Sequence, residues 1–389
     1  MYIVDFAFDY ITLEKKLILL ADQMRLQLYN LNEGLFASMD YEDDTAFLEP
    51  SLFFYIFGLH NNIELVNPLH FLSSYQRNSE SKKIELFSDE DGIIYIPRIG
   101  SFCTLPFQKI DFFYDSAREQ NIMLYPINKL DLPQTKDFFL KNSGIRIPQE
   151  KNQFLISYIK AIFVQSVSDT ISMVKNSLFS AWDKLKKSVP YFCFLVEKTT
   201  KEISVFNCLN QNSFATLSYF GTAFININGQ NANEIFFIDD ISHQCGHIIF
   251  YALTFNIQEF FLADPMKLLF EYSSIPDTRN IYDVFHGLFT YTTTLNSLIE
   301  CYKTGDFNIE QKKELIGRVG FYMQKFSIDI KLMADPRIFS NRGIEFYTMF
   351  KKSYLTIYNR HHLLFKDFSY QNQPYFYDHQ NFISTNMIQ

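Results

Sequence analysis

The chain has 389 residues, of which 47% are hydrophobic and 20% are charged, and this composition excludes a disordered protein. The 35 basic residues are outnumbered by 43 acidic ones, so we expect no nucleic-acid partner. The five cysteines form no CxxC pair, and no uncharged apolar run reaches the roughly 18 residues of a transmembrane helix, so we expect no membrane span and a soluble protein of the reducing cytoplasm.

The first 150 residues contain no recognisable motif. They begin with MYIVDFAFDY, which has two aspartates and no basic residue and is therefore not typical of a signal peptide. Residues 10–32 place Leu, Ile and Met at helical spacing, which predicts a helix. Short apolar runs and turn signals such as Glu49-Pro50 follow. We predict a helical and irregular N-terminal region over residues 1–150 that contributes to substrate binding.

Residues 151–389 have clearer patterns and are predicted to form the catalytic domain. Residues 152–188 are typical of one or two amphipathic helices. Runs rich in Phe, Val and Ile predict a small antiparallel or mixed sheet at Tyr191–Glu197, Glu202–Asn207, Phe214–Phe220 and Ala223–Asn228. Helices are predicted after the sheet at 232–255, 257–272, 282–303, 309–333 and 342–365. Strands followed by helices indicate an α+β fold that is mostly helical.

The most informative segment is His243-Gln-Cys-Gly-His247, within the predicted helix 232–255. Histidines four residues apart project from one face of a helix, so both imidazoles can reach one metal ion. Gln244 stands where an HExxH metalloprotease has the glutamate that takes a proton from zinc-bound water. An amide has no useful basicity, so a zinc hydrolase would need its base from elsewhere. A metal site with another use, or a non-catalytic relic of a protease, fits better.

Two carboxylates precede the first histidine. Further along the chain, four residues are candidates for a third metal ligand. Asp239 and Asp240 either hold an imidazole N–H or cap and solvate the start of the helix. The candidate third ligands are Glu271, Asp277, Asp283 and His286. Glu271 lies 24 residues after the pair, a separation compatible with the gluzincin proteases.

The segment around the last candidate reads Pro276-Asp-Thr-Arg-Asn-Ile-Tyr-Asp-Val-Phe-His-Gly287. With the histidine pair, it resembles the HExxH-motif peptide-modifying proteins found beside ribosomally synthesised natural-product precursors. Their second block reads R-P-D-P-R-P-x-x-G-x-x-H-G, and the residues that match it here are Pro276, Asp277, Arg279, His286 and Gly287. The order of the blocks, the 39 residues from His247 to His286 and the following apolar helix also agree.

This resemblance covers about residues 215–300 and implies an iron(II) and 2-oxoglutarate-dependent dioxygenase. Such an enzyme hydroxylates a side chain of a precursor peptide. The implied metal ligands are His243, His247 and His286, in a zincin-like arrangement, with zinc as the alternative metal. Gln244 departs from the family glutamate, which does little harm to an oxygenase because it needs open metal positions rather than a base.

Arg279 is the residue that the resemblance implies for the cosubstrate, because a planar bidentate donor suits a carboxylate. The alternative is a structural arginine that pairs with Asp277 or Asp283 and holds the loop before His286. Asp283 replaces a family glycine, so a metal site formed by two histidines and the Asp283 carboxylate is an alternative. The competing functions are a zinc-dependent hydrolase and a non-catalytic binding protein.

Overall fold

The structure is a computed structural model, and it describes residues 10–60, 82–88, 92–96, 100–114, 123–126, 138–273 and 276–386. The described residues form two compact units. Those of the first unit lie within 1–14, 174–199 and 229–389, and those of the second within 15–173 and 200–228. Residues 151–173 and 200–228 therefore group with most of the N-terminal region. No helix in the described ranges is both long and apolar enough to cross a membrane.

Helices make up most of the described chain. Their bounds are α1 (Tyr10–Leu31), α2 (Glu33–Ser38), α3 (Asp44–Phe47), α4 (Pro50–His60), α5 (Gln153–Ser157), α6 (Val167–Ser188), α7 (Pro190–Thr199), α8 (Glu234–Thr254), α9 (Ile281–Thr304), α10 (Ile309–Leu332), α11 (Asn341–His361) and α12 (His379–Asn386). The helices predicted at 10–32, 232–255, 282–303, 309–333 and 342–365 are confirmed as α1, α8, α9, α10 and α11. A mostly helical α+β fold is confirmed with them.

Within the described ranges, the strands all lie between α4 and α8. Their bounds are β1 (Lys82–Phe87), β2 (Ile93–Ile96), β3 (Gly100–Cys103), β4 (Lys109–Tyr114), β5 (Met123–Pro126), β6 (Phe138–Phe139), β7 (Arg146–Ile147), β8 (Ile162–Phe163), β9 (Glu202–Phe206), β10 (Cys208–Leu209) and β11 (Thr222–Asn226). A mixed sheet has the order β11-β9-β7-β6, in which β9 pairs in parallel with β11 and β7. The predicted strands at 202–207 and 223–228 are confirmed as β9 and β11.

Antiparallel pairs make up the other sheets and part of the mixed one. β4 pairs with β1 and β5, β2 with β3, β8 with β10, and β6 with β7. Because β1–β7 all lie before residue 150, the prediction of a helical and irregular N-terminal region was wrong in omitting strands. Most of these strands have only two to four residues, which is too short for an alternating pattern to be recognised.

Two of the predicted strands were wrong. The first, Tyr191–Glu197, lies within α7, which begins at Pro190, a residue suited to the first turn of a helix. Both faces of this helix are largely buried, and a continuous apolar run cannot be assigned by periodicity alone. The second, Phe214–Phe220, contains only a single bridge from Phe214 to Phe224 and a 3-10 turn over Leu217–Tyr219.

Two predicted helical stretches also differ from the structure. Residues 152–188 form the short α5, the strand β8 and then α6, rather than one helix or two consecutive helices. Residues 257–272 form two 3-10 turns, Ile257–Glu259 and Leu269–Glu271, rather than an α-helix. Pro265 explains this, because a proline disfavours helical geometry in the preceding residue and lacks an amide donor.

Helix α8 packs closely against α9 and also contacts α7 and α10. An ideal Cβ at Gly246 would lie 2.5 Å from Thr293 Oγ1, so glycine allows the close approach of α8 to α9.

A buried network of charged side chains joins α8 to α10. Asp239, which is 2% exposed, accepts hydrogen bonds from Arg318 Nη1 at 2.6 Å and from the Tyr322 hydroxyl at 2.8 Å. Arg318 also donates from Nε and Nη2 to Glu314 Oε1 at 3.0 and 2.8 Å. Asn233, which caps the N-terminus of α8, donates to the other oxygen of Glu314 at 2.7 Å. Asp239 therefore has a structural role between helices and does not merely solvate the start of α8.

We predict that Arg318→Met will lower the free energy of unfolding by about 3–5 kcal/mol, because it leaves Asp239 and Glu314 buried without their cation. Urea denaturation at neutral pH measures the change. Arg342→Met is the matched control: its pair with Glu345 is exposed, so the expected loss is below about 1 kcal/mol. Equal losses in the two variants would contradict the prediction.

Candidate functional site

One stripe of α8 remains accessible although most of the helix is buried. Asp240, His243, His247 and Tyr251 are half-buried, at spacings of three, four and four residues, whereas the residues between them are buried. A period of 3.6 residues places these four on one face. The two histidines of the sequence motif therefore share the accessible side of the helix.

His286 lies on α9 and meets this stripe. The helix begins after Asn280, whose side-chain oxygen accepts a hydrogen bond from the Asp283 amide at 2.7 Å. His286 therefore lies in the second turn of the helix. Its Nε2 is in hydrogen-bond contact with His247 Nδ1, and the two ring centroids are 3.9 Å apart. The His243 ring centroid lies 4.8 Å from that of His247. The structure thus brings together the three histidines that the sequence singled out.

Aromatic rings surround the histidine cluster. The His286 ring centroid lies 5.0 Å from Phe250, 5.2 Å from Tyr251 and 5.8 Å from Tyr282. Tyr322 lies 5.8 Å from His243. These aromatic side chains limit the access of water to the imidazoles, while one side of the cluster stays accessible.

Burial is the main cause that lowers the pKa of each histidine in the cluster. The pKa of His243 and of His286 falls to about 3, with the nearby charge of Lys325 adding to the effect at His243. The pKa of His247 lies well below its ordinary value, and the neighbouring histidines contribute after burial. All three imidazoles are therefore neutral at pH 7, which is the form that coordinates metal ions.

The donor chemistry of the cluster suits a divalent ion such as iron(II) or zinc, since both accept neutral imidazoles. His243 Nδ1 lies 3.5 Å from the Thr294 hydroxyl, and the facing nitrogens of His247 and His286 share a hydrogen bond. Across the described ranges, no three His, Cys, Asp or Glu side chains are arranged to hold an ion. An ion between His247 and His286 would replace their hydrogen bond. The zincin-like arrangement stays a prediction.

The three carboxylates considered as third ligands occupy other positions. Glu271 is exposed and lies 3.5 Å from Lys267. Asp283 is exposed in the first turn of α9, and Asp277 forms an ion pair in the preceding loop. Of the four candidates, His286 is the one in contact with the histidine pair.

Gln244, the residue at the position of the protease base, is 4% exposed and lies off the accessible stripe of α8. Its Oε1 is buried and has no hydrogen-bond partner among the described residues. Cys245 is fully buried beside it.

Arg279 is held by two carboxylates. Its Nε and Nη2 donate to Asp277 at 3.1 and 2.8 Å, and its Nη1 and Nη2 donate to Asp329 at 2.9 and 2.6 Å. The pair with Asp277 is one that the sequence proposed, whereas Asp329 lies 50 residues further along the chain, on α10. This geometry favours the structural interpretation, in which Arg279 holds the loop before His286.

A cleft of about 880 Å³ opens beside this ion pair. Its lining residues are Phe270, Ser273, Pro276, Asp277, Thr278, Arg279, Tyr291, Lys325, Ile328, Asp329 and Tyr375. The three histidines are not among them, but Gly287, the residue after His286, lies close to two of the lining residues. An ideal Cβ there would lie 3.4 Å from the Tyr291 hydroxyl and 3.7 Å from Asp329 Oδ2.

Sequence reasoning missed the residues that α10 contributes to this region. Tyr322, Lys325 and Asp329 follow one another at spacings of three and four residues and therefore share a face of α10. Polar groups at such spacing are ordinary on a solvated helix, so no signal in the sequence marks them.

Neither protein-family models nor curated proteins match this chain.

We predict that Arg279→Lys will lower the free energy of unfolding by about 1–2 kcal/mol, because a lysine cannot bridge two carboxylates with a planar fork. The matched control is Arg337→Lys. Arg337 binds Asp335 two residues earlier, as Arg279 binds Asp277, but it is exposed, so little change is expected. Thermal denaturation of both variants measures the difference, and equal shifts would contradict the structural role.

The same ion pair predicts a pH dependence. The hydrogen bond from Arg279 lowers the pKa of Asp277, so the ionised carboxylate stabilises the fold above the unfolded pKa of about 3.9. This contribution is lost as the pH falls through the lower folded value. The stability difference between wild type and Asp277→Asn should therefore be full at pH 6 and shrink below about pH 4. A difference independent of pH in urea titrations would refute this.

Proposed function

We propose that this protein is a metal-dependent dioxygenase that uses iron(II) and 2-oxoglutarate to hydroxylate a side chain of a ribosomally synthesised peptide. The cluster of His243, His247 and His286 carries the proposal. The three residues come from two segments 39 residues apart and meet on the accessible side of α8. The resemblance of their two segments to the two blocks of the HExxH-motif peptide-modifying proteins is the reason for proposing iron(II) and 2-oxoglutarate chemistry.

The protein's own contribution is to position and shield the reacting groups. Packing of α8 against α9 holds the imidazoles, and burial keeps them neutral. The surrounding rings of Phe250, Tyr251 and Tyr282 limit the access of water. Iron with 2-oxoglutarate would supply the oxidation: dioxygen places one oxygen atom in the C–H bond of the peptide and one in succinate, with release of carbon dioxide.

Gln244 supports an oxygenase over a hydrolase. A zinc peptidase needs a base to take a proton from water, and a buried amide cannot serve as one. An oxygenase has no such requirement. The ion pairs of Arg279 with Asp277 and Asp329 support its role in holding the loop rather than in contacting the cosubstrate carboxylate.

We predict that His243→Ala, His247→Ala and His286→Ala will each weaken binding of iron(II) by more than about tenfold, since loss of even an outer-shell partner costs that much. Anaerobic calorimetric titration with the metal alone measures the affinity, and elemental analysis checks the stoichiometry. His60→Ala is the control, because His60 is exposed at the end of α4. Full occupancy in His286→Ala would remove this residue as the third ligand.

We predict that the iron-loaded protein will add one oxygen to its peptide substrate and form one succinate per turnover. The assay supplies 2-oxoglutarate, air and peptides encoded beside the gene, and mass spectrometry reads the products. Gln244→Glu should retain this activity. If iron binds and no such peptide gains oxygen, the oxygenase proposal fails. Chelator-sensitive cleavage of an unstructured peptide by the wild type would favour the zinc hydrolase instead.

A further inference from the structure

The cleft beside Arg279 has an apolar rim. Phe270, Ile328 and Tyr375 line it and are 51%, 46% and 76% exposed. Large apolar side chains grouped at the mouth of a cavity are typical of binding surfaces. A cleft of about 880 Å³ falls in the upper part of the range of about 300–1,000 Å³ for ligand pockets, so it has room for a peptide segment.

The carboxylates in the cleft are already compensated. Both oxygens of Asp277 accept hydrogen bonds from Arg279, as do both oxygens of Asp329. Asp329 also accepts from the Tyr291 hydroxyl at 3.1 Å. These two residues therefore offer little attraction to a cationic ligand, and Arg279 has few donors left for an anionic one.

Lys325 differs from Arg279 because no carboxylate of the described residues lies within ion-pair distance of its amine. The amine donates one hydrogen bond to the Tyr375 carbonyl and lies 4.2 and 4.6 Å from the ring centroids of Tyr375 and Phe321. An ammonium has three donors, so two are left for a ligand. Burial lowers the pKa of Lys325 to about 8, which still leaves it mostly charged at pH 7.

We propose that this cleft binds an acidic residue of the peptide substrate, with its carboxylate on Lys325 and neighbouring apolar side chains on the rim formed by Phe270, Ile328 and Tyr375. The proposal rests on the peptide specificity proposed above and names the kind of segment that is recognised. Gly287, the residue after His286, lies close to Tyr291 and Asp329 of the cleft lining, which connects the cleft to the segment that carries this histidine.

The test uses metal-free full-length protein and two fluorescein-labelled peptides, Gly-Phe-Glu-Phe-Gly and Gly-Phe-Gln-Phe-Gly, with affinity read from fluorescence anisotropy. The wild type should bind the glutamate peptide at least about tenfold more tightly, because a hydrogen bond between charged groups is replaced by a weaker one in the glutamine peptide. Lys325→Met should abolish this preference. Lys331→Met, at an exposed position on the same helix, should retain it.

A second variant keeps the test valid if Lys325→Met does not fold. Ile328→Glu places a negative charge on the exposed rim and should weaken binding of the glutamate peptide selectively. Equal affinities for the two peptides in the wild type, or no binding at millimolar concentration, would overturn the proposal. Displacement of the glutamate peptide by 2-oxoglutarate in the wild type would also overturn it, by assigning the cleft to the cosubstrate. If the iron-loaded protein hydroxylates its peptide substrate but the metal-free protein binds both probes equally, the proposal for the cleft fails and the proposed oxygenase function stands.

Discussion

The buried carboxylate of Asp239 sets the position of helix α8. An ionised carboxylate in a protein interior costs several kcal/mol unless cations and hydrogen-bond donors compensate it. Arg318 and Tyr322 on α10 supply that compensation, so α8 must lie where both side chains reach Asp239. His243 follows Asp239 by one helical turn. The constraint that satisfies the carboxylate therefore also orients the accessible stripe of histidines.

The same physical rule acts on the other side of the histidine cluster. Asp329, which is also buried, accepts two hydrogen bonds from Arg279 and one from Tyr291, and so ties both the loop before α9 and α9 itself to α10. Helix α10 thus supports α8 through one ion-pair network and the segment before His286 through another. Between the two networks lies Lys325, whose amine has no carboxylate partner in the described structure.

This contrast between compensated and uncompensated charge separates structural from binding residues. Arg318 and Arg279 donate hydrogen bonds to carboxylates from several of their N–H groups. Substitution of either arginine should therefore mainly lower the free energy of unfolding. Lys325 has donors to spare in a cleft, and its loss should be seen in binding. The histidines form a third class: they are neutral because of burial, partly accessible, and in contact with one another.

The sequence by itself determined the features that depend on local geometry. Helical periodicity predicted α1, α8, α9, α10 and α11, and the spacing of His243 and His247 placed both on one face. The same reasoning misassigned residues 191–197, because a segment buried on both sides carries no period. The meeting of His247 with His286 was indicated by resemblance to a family rather than by local physics.

Only the tertiary structure decided which charges are structural. Arg279 pairs with Asp329 across 50 residues, and Arg318 with Asp239 across 79. In the sequence, Arg318, Lys325 and Asp329 are all ordinary polar residues of an amphipathic helix. Their roles differ because the folded chain buries carboxylates against the first and supplies an arginine to the last, while Lys325 lines a cleft and has no carboxylate partner among the described residues. Long-range burial sets the energetic role of a charge, and the sequence of one helix does not encode it.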